Sequence, residues 1–251
     1  MVRIYLMGRV AIEGPAAVVD EAALPGPLGR VLLALLAVDP GPVARSRVAQ
    51  VLWDDDPPAA YERSLNPLLS KLRRALATAG ADRELFVSGS GAVGIRRRAE
   101  LWIDVNEATT ALDAAEGALR RGRPHEAWPR AAVATSILGR PFLEGVDLRW
   151  VADQRRSLHD RLIRAHEAAA DVWIQLDDPG QAVVAARRLV EADPFRETGY
   201  ERLIRAHVLA GNRAEALRTF AECEATLRHE LGVDPSPLVQ AAYEEALGVA
   251  N

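Results

Sequence analysis

The sequence predicts a mainly α-helical chain with a small β part, and two observations carry this prediction. Hydrophobic periodicity is mixed over residues 1–100 and almost wholly helical beyond them. The second part also repeats with a period of 34 residues. At 251 residues, the chain has the length of one large domain or two modest ones. We therefore expect two domains, at residues 1–100 and 101–251.

The first domain is expected to contain short strands, three helices and a hairpin. Alternating apolar residues over 2–12 predict two strands with a turn. Leucine- and alanine-rich stretches predict helices at about 28–38, 44–53 and 59–79, and the first two stop at proline-containing runs. Two short apolar runs around a Gly/Ser turn at 85–95 predict a β-hairpin. This order of elements is that of a winged helix-turn-helix.

The second domain has the spacing of tetratricopeptide repeats, which predicts an all-α repeat fold. Small residues at Ala182 and Ala216 allow the two helices of a repeat to approach closely. A weaker unit is expected at 122–138, then a turn-rich break at 139–145 and a long helix over 150–176. The residue pairs that align 34 positions apart are Trp173 with His207, Ala182 with Ala216, Ala186 with Phe220, and Leu189 with Cys223.

Charge is distributed unevenly between the two parts. The whole chain carries a net charge of −4, which by itself argues against a nucleic-acid binder. Residues 1–100 hold 13 basic and 11 acidic side chains, whereas 101–251 hold 18 and 24. Within the first part, 61–98 alone carries 8 basic against 3 acidic residues. The basic excess is therefore local, and it coincides with the third helix and the hairpin.

The run 63–74 has the composition of a DNA-recognition helix. On a helix, Arg63, Ser70, Lys71 and Arg74 project away from a leucine stripe, which leaves a cationic, hydroxyl-bearing face for DNA. Taken alone, such a run is more typical of a solvated helix face, but the flanking helices and the hairpin favour DNA binding. Arg96, Arg97 and Arg98 end the hairpin, and Arg45 and Arg47 begin the second helix. The candidate DNA-binding residues are Arg45, Arg47, Arg63, Ser64, Asn66, Ser70, Lys71, Arg73, Arg74, Arg96, Arg97 and Arg98.

The sequence offers no candidate catalytic, cofactor or metal site, and we expect a protein that is not an enzyme. It lacks the Gly-x-x-x-x-Gly-Lys-Ser/Thr motif of a P-loop. His159 and His166 share a helix face at most, and a pair of histidines makes no closed metal site. The acidic run Asp54, Asp55, Asp56 lacks the spacing of a calcium loop and is better explained as a solvated loop. Cys223 occupies an inward repeat position and is expected to be a small core residue.

A cytoplasmic location is expected. The longest apolar run, 31–38, is far shorter than the roughly 20 residues that span a bilayer. The N-terminus lacks the pattern of a signal peptide, and a single cysteine is compatible with a reducing compartment.

Several segments resemble the Streptomyces antibiotic regulatory protein family of transcriptional activators. Members of this family combine an OmpR-type winged helix with a bacterial transcriptional activator domain built on tetratricopeptide repeats. The similarity extends over essentially the whole length, and the chain resembles the short members that lack an appended ATPase or sensor. The segments that carry the resemblance are 52–58, 63–76, 193–197, 211–217 and 230–237.

The resemblance implies a mechanism and partners. The third helix would enter the major groove of double-stranded DNA, and the wing would touch the adjacent minor groove. The repeat domain would support a homodimer on promoter direct repeats. RNA polymerase would be recruited, with the loop of Asp54, Asp55 and Asp56 among its contacts. The targets would be genes of a secondary-metabolite (antibiotic) cluster, and an effector, small molecule or protein, remains open.

Two departures from the family pattern keep a second hypothesis open. Pro67 lies inside the predicted recognition helix, so the helix either kinks there or begins at Pro67 with Asn66 as its N-cap, which would displace Arg63 and Ser64. The wing at 87–95 lacks the tip cation and tyrosine typical of the family. The alternative function is a protein-interaction adaptor whose first domain binds DNA weakly or not at all.

Overall fold

The computed structural model describes residues 1–89 and 91–248, which divide into two compact units. The first unit contains residues 1–108 and 137–159, and the second contains 109–136 and 160–251. The prediction of a mainly helical chain with a small β part is confirmed. The sequence-based division at residue 100 differs from these units in two respects, because 101–108 and 137–159 both group with the first unit.

Seven strands and ten α-helices are present in the described part of the chain. The strands are β1 (Val2–Tyr5), β2 (Ala11–Glu13), β3 (Val18–Val19), β4 (Val43–Ala44), β5 (Phe86–Ser88), β6 (Ala92–Ile95) and β7 (Leu101–Ile103). The helices are α1 (Gly26–Val38), α2 (Arg45–Leu52), α3 (Tyr61–Thr78), α4 (Asp104–Arg120), α5 (Pro124–Leu138), α6 (Arg149–Gln175), α7 (Pro179–Ala192), α8 (Glu197–Leu209), α9 (Arg213–Leu231) and α10 (Pro237–Leu247).

Two small sheets flank the helices α1, α2 and α3. The first has the order β3-β2-β1-β7, with β1 antiparallel to β2 and parallel to β7. Ile4 of β1 faces Ile12 on one side and Ile103 on the other. The second sheet has the order β4-β6-β5, so the predicted hairpin is extended by a strand from between α1 and α2. Ser90, which the sequence pattern assigns to the predicted turn, lies outside the described residues.

The helix α1 is the buried centre of the first unit. All seven residues from Val31 to Ala37 are buried, as expected for a leucine- and alanine-rich helix without a polar face. Pro27 lies in its first turn, where a missing N–H costs nothing, and Asp39 and Pro40 end it. Because α1 contacts α2, α3 and β6, it fixes the positions of all three.

A buried carboxylate joins β1 to the start of α4. Asp104, the first residue of α4, is only 2% exposed and follows β7 directly. Its Oδ2 accepts the backbone N–H groups of Leu6 at 2.8 Å and Met7 at 2.9 Å, and Oδ1 accepts that of Val105 at 2.8 Å. Burial raises the pKa of Asp104, although these three N–H donors favour its charged form.

The second unit is built from helices joined by short connections, which makes consecutive helices antiparallel. Helices α7 and α9 begin 34 residues apart, and the aligned residues Ala182, Ala216, Leu189 and Cys223 are all fully buried. The inward location of these four residues is therefore confirmed, whereas the aligned Trp173 and Phe220 are only partly buried. Burial raises the pKa of the Cys223 thiol to about 12, so the cysteine is a protonated core residue at neutral pH.

The main elements missed by the sequence pattern are the short strands β3, β4 and β7. Each has two or three residues, too few to show an alternating pattern, and each is held by pairing with another strand. The three predicted helices of the first domain agree with α1, α2 and α3 within two residues. Within 1–89 and 91–248, no helix is long and apolar enough to cross a membrane.

One buried polar side chain in the second unit lacks a partner. His207 is 5% exposed, and neither ring nitrogen has a hydrogen-bond partner among the described residues. Burial lowers the pKa of His207, the Arg187 charge lowers it further, and Glu215 opposes both. The neutral form of the His207 ring is therefore favoured in the folded protein.

The His207→Leu variant tests this assignment through the pH dependence of stability. Since the pKa of His207 is lower in the folded chain than in the unfolded chain, the unfolded chain binds the proton first as pH falls below about 6.5. The wild type should lose unfolding free energy between pH 7.5 and 5.5, and the leucine variant should lose less. At pH 7.5, removing two unpartnered nitrogens should leave the variant as stable as the wild type, or more stable by about 1–3 kcal/mol.

Urea unfolding followed by tryptophan fluorescence measures both quantities. His125→Leu, which replaces an exposed histidine of the same unit, should keep the wild-type pH dependence. Equal losses in wild type and His207→Leu would show that His207 titrates normally in the folded protein.

Candidate nucleic-acid interface

One face of α3 is cationic. It is the face opposite the leucine stripe that packs into the first unit. The stripe Leu65, Leu69, Leu72 and Leu76 is buried in the first unit. At about 100° per residue, Arg63, Ser70 and Arg74 lie opposite this stripe, with Lys71 beside them. All four are exposed. We call Arg63, Ser70, Lys71 and Arg74 the cationic face.

Pro67 lies within α3 and does not begin it. The helix runs without interruption from Tyr61 to Thr78, so the alternative in which it starts at Pro67 is wrong. Pro67 is exposed on the same side as the cationic face. The carbonyl of Arg63, which loses its helical donor, therefore lies on a face open to water, and this moderates the cost of an internal proline. Arg63 and Ser64 consequently remain in the first two turns of the helix.

Arg45, predicted to contact phosphate, is bound within the protein. Its Nε lies 3.0 Å from both carboxylate oxygens of Glu62, and its Nη2 also donates to Oδ1 of Asn66. The hydrogen bond with Glu62 raises the pKa of Arg45 and lowers that of Glu62. The pair joins the first residue of α2 to the first turn of α3. Asn66 accordingly acts as an acceptor for Arg45 and not as an N-cap.

The three arginines that follow β6 are also engaged. Arg97 Nη2 donates to the carbonyls of Ala37 at 2.8 Å and Val38 at 2.9 Å, at the end of α1, and burial lowers the pKa of Arg97. It thereby satisfies carbonyls that have no partner within the helix. Arg98 contacts Asp82 and Glu84, and Arg96 lies 3.9 Å from Glu84. Their charge is thus partly neutralised.

Among the predicted DNA-binding cations, those without a hydrogen bond or ion pair in the described part of the chain lie on α3 and at the start of α2. Within the described part of the chain, Arg47, Arg63, Lys71 and Arg74 make no ion pair, and all are exposed. Arg73 differs, because its guanidinium stacks over the Phe86 ring at 5.0 Å from the centroid. The structure thus separates the predicted residues into an accessible set on α2 and α3 and an internally bound set.

A cleft of about 560 Å³ lies between α3 and β5. Ser70, Arg73 and Arg74 line it on the helix side, and Ser88 lines it on the strand side. Arg83, in the 3-10 turn before β5, also lines the cleft, and sequence reasoning missed it. Arg83 lines the cleft because of the turn between α3 and β5, and no periodic sequence pattern predicts that turn.

The acidic loop after α2 is held by a residue distant in sequence. Oδ1 of Asp54 accepts the backbone N–H of Arg149 at 3.0 Å, and Asp55 pairs with the Arg149 guanidinium at 3.1 Å. Asp54 and Asp55 have φ values of 51° and 69°, in the left-handed region. Asp56 is exposed, and its side chain makes no hydrogen bond or ion pair among the described residues. Two of the three aspartates therefore stabilise the first residue of α6.

Comparison with known proteins gives matches along most of the chain. The bacterial transcriptional activator domain matches residues 103–247. The regulatory protein AfsR of Streptomyces coelicolor is 30% identical over 229 residues, which are 91% of this chain and 23% of AfsR. The transcriptional regulatory protein EmbR of Mycobacterium tuberculosis is 27% identical over 238 residues, which are 91% of this chain and 60% of EmbR. The chain thus spans less than two thirds of either relative.

A solved structure matches the fold of the whole chain. The Mycobacterium tuberculosis EmbR structure, in complex with a low-affinity phosphopeptide, superposes with a TM-score of 0.89 at 23% identity. The match covers 100% of this chain and 66% of that one.

AfsR is a regulatory protein and EmbR a transcriptional regulatory protein, in agreement with the prediction of a protein that is not an enzyme. Since the match at 103–247 takes up more than half of the chain, the protein belongs to the bacterial transcriptional activator domain family. The resemblance to the Streptomyces antibiotic regulatory protein family is thereby confirmed.

The Arg97→Ala variant should be less stable than the wild type, because it leaves the last carbonyls of α1 without their charged donor. We expect a loss of about 1–3 kcal/mol in the free energy of unfolding. Urea unfolding of the full chain measures the loss. Arg96→Ala, which removes an exposed arginine with one contact at 3.9 Å, should change stability by less than about 0.5 kcal/mol. Equal stability of the two variants would rule out the capping role of Arg97.

Proposed function

We propose that the protein is a sequence-specific, DNA-binding transcriptional activator whose first unit is a winged helix-turn-helix domain. The observation that carries this proposal is the cationic face, where Arg63, Lys71 and Arg74 are exposed and unpaired within the described residues. Unpaired cations need no internal ion pair to be broken before they bind phosphate. Family membership and the order of strands, helices and hairpin support the proposal.

In this proposal α3 is the recognition helix and enters the major groove. Arg63, Arg74 and the Ser70 hydroxyl are directed at base edges or phosphates, and Lys71 at a phosphate. Arg47, exposed at the start of α2, adds a phosphate contact. The bound arginines Arg45 and Arg97 position the helices, while the hairpin contributes few free cations.

Binding to DNA from upstream of its own gene, measured across a salt series, tests the proposal. Affinity should fall steeply with salt, because the binding of each phosphate releases counterions. Lys71→Ala with Arg74→Ala should weaken binding and reduce the slope of log affinity against log salt by about one for each phosphate that the variant no longer binds. Fluorescence anisotropy with labelled duplexes gives both values.

The matched control is Arg130→Ala, which removes an exposed arginine of the second unit that makes no ion pair among the described residues. It should leave affinity and slope unchanged. Equal weakening by this control would point to unspecific charge attraction. No binding at low salt would reject the proposal and favour the adaptor function.

We further propose that the protein activates genes of a biosynthetic cluster in the cytoplasm, as a homodimer on direct repeats that recruits RNA polymerase. Within the acidic loop, the structure supports one polymerase contact above the others. Asp54 and Asp55 are bound to Arg149, whereas the exposed Asp56 side chain makes no hydrogen bond or ion pair among the described residues. Asp56 therefore offers the unpaired carboxylate of this loop.

The Asp56→Ala variant should bind promoter DNA like the wild type and activate transcription less. Loss of one surface charge pair costs up to about 1 kcal/mol, so activation should fall by up to about fivefold. In vitro transcription with purified polymerase measures activation, and anisotropy measures DNA affinity. Glu100→Ala, another exposed carboxylate of the first unit, should be neutral in both assays. Full activation by Asp56→Ala would exclude Asp56 as a contact.

A further inference from the structure

The second unit contains a cleft that the proposed function does not use. It has a volume of about 320 Å³ and lies among α5, α6 and α7. This is at the lower end of the range for small-molecule pockets, about 300–1,000 Å³. We call it the Trp cleft and define it by Trp128, His166, Trp173, Gln181 and Arg188.

Two tryptophans form its aromatic wall. The rings of Trp128, on α5, and Trp173, on α6, lie 4.5 Å apart between centroids and are tilted by 53°. Trp128 is 39% exposed, although no other tryptophan among the described residues is classed as exposed. Val184, which is 49% exposed, extends the apolar surface from α7. An accessible aromatic surface of this kind favours a flat apolar ligand.

The polar side of the cleft is cationic. Other arginines on the helices of this unit are paired, as in Arg164 with Glu116 and Arg202 with Asp171. Arg188 is exposed and makes no ion pair within the described residues. The described lining of the cleft includes no aspartate or glutamate. An anion entering the cleft would therefore meet a guanidinium that has no competing carboxylate.

The remaining polar groups are suited to neutral hydrogen bonding. Burial lowers the pKa of His166, and the Arg188 charge lowers it further, so the imidazole is neutral at pH 7. The Gln181 amide is exposed at the start of α7. The hydroxyl of Thr135 donates to the carbonyl of Ala131 at 3.0 Å, within its own helix. Arg188 is thus the charged group that fixes the ligand class.

We propose that the Trp cleft binds a small organic anion with a flat aromatic body, whose rings lie against Trp128 and Trp173 and whose carboxylate pairs with Arg188. A guanidinium binds a carboxylate through two parallel hydrogen bonds, which gives orientation as well as affinity. The site goes beyond DNA binding, because none of its residues belongs to the first unit.

The test uses 2-naphthoate as the probe and the full chain at pH 7.5. Isothermal titration calorimetry should show saturable binding of the carboxylate, and the neutral 2-naphthamide should bind at least about tenfold more weakly. The Arg188→Gln variant should lose a similar factor for naphthoate and leave the affinity for the amide unchanged. Arg187→Gln is the matched control, since Arg187 is the neighbouring exposed arginine on α7 and does not line the cleft.

Nuclear magnetic resonance locates the probe. The chain has five tryptophans, whose indole N–H signals are assigned with single Trp→Phe variants. Naphthoate should shift the signals of Trp128 and Trp173. No saturable binding, equal affinity for the amide, or shifts confined to Trp53, Trp102 and Trp150 would each overturn the proposal. Because DNA affinity is measured separately, failure here is distinguishable from failure of the proposed function.

Discussion

The carboxylate of Asp104 is the interaction on which the order of the first unit depends. It accepts three backbone N–H groups, from Leu6, Met7 and Val105, at a site that is almost fully buried. Burial of an unpartnered carboxylate would be prohibitive, so the end of β1 and the start of α4 must lie together whenever the unit is folded. Because β1 and β7 pair in parallel, the carboxyl ends of the two strands lie side by side. The edge of the four-stranded sheet and the first turn of α4 thus share one polar centre.

Charge neutralisation within that unit decides which arginines remain available. Arg45 is bound by Glu62, Arg98 by Asp82 and Glu84, and Arg97 by the carbonyls that end α1. Each of these interactions fixes one element against another, and each engages a cation that would otherwise be unpaired. What remains is concentrated on α3, where the leucine stripe turns the unpaired residues outward. Folding therefore confines the unpaired part of the local basic excess mainly to one face of α3.

The sequence predicts the helices and the leucine stripe of α3 well, because both follow from local periodicity. It also places Ala182 and Ala216 at inward positions, since a 34-residue repeat imposes the same packing twice. Contacts between distant segments are not predictable in this way. The hold of Arg149 on Asp54 and Asp55 joins residues more than 90 positions apart. No spacing rule separates the bound Arg45 from the free Arg47, because the difference depends on where α3 brings Glu62.

The Trp cleft exists because two aligned positions of the repeat are buried to different extents. Trp173 and His207 align at the 34-residue spacing, yet Trp173 lines a cleft and His207 is buried. His207 lies near Arg187 of α7 and Glu215 of α9. The position of Trp173 is covered instead by Trp128, whose ring leaves space beside it. Equivalent positions of two repeats thus hold a buried side chain in one case and a cleft-lining side chain in the other, because the residues that surround the two positions differ.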